Sequence, residues 1–109
     1  MPVAPEPEEF ESLVADAIDR LPEQFQKVLE NVAVVISDMG TEVHAYGQYF
    51  GDGVAQDRYE DRIVIYQDTL ERDFGHDRGL LARQVEQTLR HELAHHLGWD
   101  EEGVGGLGL

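Results

Sequence analysis

His91 and His95 stand four residues apart in the string His91-Glu92-Leu93-Ala94-His95. On a helix that spacing sets both imidazoles on one face, one above the other, close enough to bind one metal ion. Glu92, beside the first histidine, is then held near any water on the metal, where a carboxylate serves as general base. The chemistry these residues point to is metal-assisted hydrolysis. Cysteine is absent, so the chain has no disulfide, and zinc would have to be held by histidine and carboxylate.

The element that must present these residues is a long helix expected over residues 78–97, closed by Gly98 as a left-handed cap. At about 100° per residue, Leu81, Val85, Leu89, Leu93 and Leu97 form one apolar stripe. His91 lies about 160° and His95 about 120° around the axis from Leu89, so both turn away from that stripe together with Gln84, Thr88 and Glu92. His96 points about 100° away from His95 and cannot share its ion, which leaves it packing or supporting the site. Three acids, Asp100, Glu101 and Glu102, follow the glycine.

Earlier segments supply the body on which that helix can pack. Residues 1–7 read as a flexible leader and residues 8–109 as a single domain, since 109 residues leave room for one modest core. Phe10, Leu13, Val14, Ala17, Ile18 and Leu21 recur at helical spacing until Pro22 stops them, and a short second helix is expected over residues 22–29. Residues 31–38 are a β-branched run and the best strand; residues 42–50 form a weaker one interrupted at Gly47, with His44 alternating inside it as a structural residue. A polar, glycine-containing loop over residues 51–61 leads to a third strand over residues 62–67. Residues 68–77 form a turn or a short helical segment. Helix, strands, helix in that order indicate an α+β fold.

Composition narrows the function. Apolar residues make up 41% of the chain, enough to fold, and there are 23 acids against 8 bases, of which Lys27 is the only lysine. The formal charge of -15 repels nucleic-acid phosphates and anionic lipid, excluding both as general partners, and suits a cationic peptide. The proline-rich, acidic start has neither the basic nor the apolar part of a signal peptide, and no run reaches transmembrane length, so a cytoplasmic protein is expected. The oligomeric state stays open, with a monomer as the starting point.

The stretch His91-Glu92-Leu93-Ala94-His95-His96-Leu97-Gly98-Trp99-Asp100-Glu101 resembles the extended zincin pattern HExxHxxGxx followed by a third ligand. More closely, the chain resembles the minimal zincin-like metallopeptidases, small bacterial cytosolic proteins with an acidic first helix and a final HExxHHxGxxD helix. Its matching pieces are residues 8–21, residues 32–36, Tyr46-Gly47, residues 62–66 and residues 91–101. That resemblance implies a small mixed sheet packed on an N-terminal helix and a C-terminal active-site helix. It implies a zinc-dependent peptidase with Glu92 as general base and His91, His95 and Glu101 as ligands. The family's aspartate stands one place early here, so Asp100 is the alternative third ligand, or it orients a histidine.

The resemblance further implies an edge strand that pairs with substrate backbone, assigned to residues 63–67. It also implies an oxyanion-stabilising group, for which Tyr46, Tyr49, Tyr66 and His76 are the candidates; the remaining substrate-binding residues have no sequence signature. Trp99 is expected to clamp the turn after the helix. The competing reading is a metal-binding interaction module without turnover, whose acidic surface takes a basic partner.

Overall fold

A computed structural model describes residues 7–51 and 61–97. Helix α1 spans Pro7–Asp19 and α2 spans Glu23–Val28, continued by a 3₁₀ turn over Leu29–Asn31. Strand β1 (Ala33–Ser37) leads to a single helical turn, α3 (Gly40–Val43), then to β2 (Gly47–Phe50). Strand β3 (Arg62–Tyr66) runs straight into α4 (Gln67–Phe74), and α5 (Arg78–His96) closes the described chain. The expected leader falls mostly on residues 1–6, and the expected loop mostly on residues 52–60, both outside the described residues. No helix among the described residues is long and apolar enough to cross a membrane.

The helix ends follow local chemistry. Pro22 takes an extended conformation, φ -53° and ψ 147°, at the start of α2. Behind it Gln26 Nε2 donates to the carbonyls of Asp19 and Leu21 at 3.0 and 2.9 Å, covering acceptors that the end of α1 leaves unpaired. Asp77 is the N-cap of α5, its Oδ1 accepting from the Leu80 amide at 3.1 Å.

The sheet has the order β1-β3-β2, with β1 parallel and β2 antiparallel to β3. One face carries Ile63 and Ile65, flanked in register by Val34 and Ile36 on β1 and by Tyr49 and Gly47 on β2. Against it lie Leu81, Val85, Leu89 and Leu93 of α5, all buried, with Phe10, Val14 and Ala17 of α1. Burying each such large aliphatic side chain is worth about 1.5–3 kcal/mol, so the leucine stripe fixes which side of α5 faces inward. Arg78 bonds Glu9 at 2.8 Å and ties the start of α5 to α1.

Three expectations need correction. Residues 42–50 are not one strand: Asp68 accepts from the amides of Gly40 and Thr41, each at 2.9 Å, and from the Thr41 hydroxyl at 3.0 Å. That clasp winds residues 40–43 into a helical turn and delays the strand to Gly47. His44 is accordingly no strand residue; it caps α3 in the left-handed region, φ 55° and ψ 48°, and is exposed. Strand β3, assigned above to a substrate-pairing edge, is the central strand, with Ile63, Val64, Ile65 and Tyr66 all buried. A continuous apolar run covered on both faces is the pattern of an inner strand. The edges are β1 and β2.

Candidate metal centre and cleft

The polar side of α5 is not turned to open solvent. Strand β2 lies across it, and Gly47 makes the approach possible: a Cβ there would stand 2.6 Å from Thr88 Cγ2, 3.1 Å from the Val64 carbonyl and 3.3 Å from Glu92 Cγ. Thr88 and Glu92 are buried in consequence, while His91 and His95 stay half-buried at the margin.

There the two imidazoles converge. Their Nε2 atoms are 3.2 Å apart, with ring centroids 4.8 Å apart and planes at 74°. Two nitrogens binding one tetrahedral ion at about 2.0–2.1 Å must stand roughly 3.3 Å from each other. The pair therefore meets the first geometric requirement of a shared ion. Among the described residues no third His, Cys, Asp or Glu joins them in a metal-binding group. Glu101 and Asp100, like Gly98 and Trp99, lie outside the described residues.

Beside this pair opens a cleft of about 430 Å³, walled on one side by residues 44–47 and on the other by Gln84, Gln87, Thr88, His91 and Glu92. His44 is thus a cleft residue that its type and local pattern did not reveal. Its left-handed backbone is set by the clasp on α3, which no short-range signal announces.

The candidates for oxyanion stabilisation separate. Tyr66 donates to Gln48 Oε1 at 2.6 Å, and Tyr49 places its hydroxyl 3.1 Å from His96 Nδ1. His76 sits exposed in the turn between α4 and α5. Only Tyr46 of the four lines the cleft. Its hydroxyl donates to Asp73 Oδ2, its ring packs on Phe74 at 5.3 Å, and the bond to that carboxylate, with some burial, raises its pKa above the usual 10.0. Asp73 is in turn drawn down to about 2, chiefly by its bond from Arg72 and next by that from Tyr46.

His96 is buried and far from inert. Its Nδ1 lies 3.1 Å from Asp61 Oδ2 and 3.1 Å from the Tyr49 hydroxyl, and its ring stands edge-on to Tyr49 at 5.3 Å. The burial of His96 agrees with its reading as a packing residue; its partner Asp61, the last residue of the expected loop, had no sequence signature.

No curated protein matches the chain. The family described as zincin-like metallopeptidase matches residues 27–108, most of the chain, and the protein belongs to that family. The α+β fold of helices around a small mixed sheet agrees with that membership.

Proposed function

From that membership and the cleft beside α5, we propose that the chain is a zinc-dependent peptidase with His91, His95 and Glu101 as ligands, Asp100 being the alternative third, and Glu92 as general base. One observation carries the reading: two Nε2 atoms 3.2 Å apart, next to a buried glutamate on the wall of a cleft. The acid-free, aliphatic side of α5 is spent on the core, so its histidines are available for chemistry. Bound zinc supplies a Lewis acid that polarises the scissile carbonyl and brings the pKa of water toward neutrality.

The chain's own residues do the rest. Glu92 takes the proton of the attacking water and passes it to the leaving amine. Its burial beneath Gly47 holds the carboxylate in one place for both transfers. Strand β2, an edge strand bordering the cleft, replaces β3 as the segment on which a substrate backbone pairs. Pairing of that kind reads main chain rather than side chains and fits an extended peptide.

The test measures zinc per chain and hydrolysis of a quenched peptide library by wild type and Glu92→Gln. The expected result is one zinc in both and turnover reduced at least a hundredfold in the variant, the low end of what a lost general base costs. Equal activity in the two proteins would end the peptidase reading. Bound zinc without turnover in wild type would favour the interaction module with a basic partner.

A further inference from the structure

The buried group that catalysis leaves unused is the cluster of His96, Asp61 and Tyr49. His95 belongs to the last turn of α5, where the carbonyls run out of helical partners and the backbone tends to fray. A ligand in such a turn keeps its aim only if something outside the helix holds it. The next residue provides that hold: His96 is 5% exposed and Asp61 7%.

Both partners of His96 are parts of the sheet. Tyr49 lies on β2 opposite Ile63, and Asp61 directly precedes β3, its carbonyl accepting from the Ala33 amide at 3.1 Å. The Asp61 carboxylate is further boxed in by Gly51, where a Cβ would come 2.0 Å from Oδ1. An apolar side chain at position 96 could fill the same space, but it would leave the roll of the last turn to packing alone. The position of Nδ1 within 3.1 Å of two fixed oxygens sets that roll, and the roll of the last turn decides where His95 Nε2 stands relative to His91 Nε2.

We propose that His96, held by Asp61 and Tyr49, is the positioning residue of the metal centre. It acts through the backbone of the last turn, keeping His95 aimed at the ion shared with His91. The inference rests on the metal-site reading above.

The test uses the full chain with zinc as the probe. Zinc affinity is measured by chelator competition well below the unfolding temperature for wild type, His96→Gln, Asp61→Asn and Tyr49→Phe. Val14→Ala, which thins the packing of α1 on α5, is the control for lost stability. Amide exchange at residues 93–97 is followed in the metal-free proteins. His96→Gln and Asp61→Asn should each weaken zinc by about 10- to 100-fold, the range for losing a supporting partner, and Tyr49→Phe should weaken it less. The amides of the last turn should exchange faster in the same variants. Val14→Ala should lower the unfolding temperature and leave zinc affinity as in wild type. Unchanged affinity in His96→Gln and Asp61→Asn, or a loss no larger than that of Val14→Ala, overturns the proposal while wild type still binds zinc. Failure of wild type itself to bind zinc removes the metal reading and this inference together.

Discussion

His44 holds a backbone conformation that ordinary residues avoid. At φ 55° its Cβ crowds the following carbonyl, a strain of about 1 kcal/mol that glycine does not feel. The position is a helix cap, with the residue's N–H donating to the Gly40 carbonyl, and glycine is the usual occupant of such a cap. His44→Gly should therefore raise stability by up to about 0.5 kcal/mol, the relief of strain less the roughly 0.4–1 kcal/mol of added freedom in the unfolded chain. Urea unfolding measures it, and a loss of stability instead would mean that the imidazole makes contacts worth more than the strain. The contrast with His91 and His95 explains what sequence could and could not reveal at this scale. That they share one face of a helix follows from the helical period, which the sequence displays. His44 owes its conformation to Asp68, which binds the amide of Gly40 across 28 positions of chain.

Asp68 works on two elements at once. It stands in the first turn of α4 and its carboxylate accepts from α3, so the cleft wall over residues 44–47 hangs from it. Gly40 allows the fit: a Cβ would stand 2.6 Å from Thr69 Oγ1 and from Tyr66 Cβ. Partial burial alone would raise the Asp68 pKa, but the amides of Thr41 and Gly40 and the Thr41 hydroxyl together outweigh it and hold the pKa below 3.8. A carboxyl whose folded pKa is depressed adds stability above its unfolded pKa and loses it as pH falls through the folded value. Asp68→Ala should then cost about 1–2 kcal/mol at pH 7, the size of a lost cap. That difference from wild type should shrink progressively below about pH 4. Urea titrations at pH 7, 4 and 3 give the answer; a gap that stays constant would mean that the charge plays no part. The same clasp is why residues 42–46, assigned to a strand by pattern, do not belong to one. Alternation within EVHAYGQYF reports side-chain preference, and the clasp overrides it. Strand β3 was legible as a strand but not as the central one, although its unbroken apolar run carried that signal.

At the scale of the molecule, the order of elements was enough for the α+β class, because an apolar helix, β-branched runs and a second apolar helix can bury their faces together in few ways. Which strand lies in the middle depends on pairing between segments far apart in sequence. Charge was fully legible, and its consequence belongs to the whole surface. With 23 acids against 8 bases the protein carries a formal charge of -15, so its field reaches any charged peptide before contact. The reach is about 30 Å at 0.01 M salt and about 8 Å at 0.15 M. A lysine-rich quenched peptide should accordingly show kcat/KM at least about tenfold above that of a glutamate-rich peptide of equal length at the lower salt, the modest end of electrostatic steering. The advantage should fall several-fold at the higher salt, chiefly through the lysine-rich member losing rate. Were preference instead set by side-chain pockets in the cleft, the ratio would survive the salt, and a ratio near one at both concentrations would show that main-chain pairing along β2 selects peptides without regard to their charge.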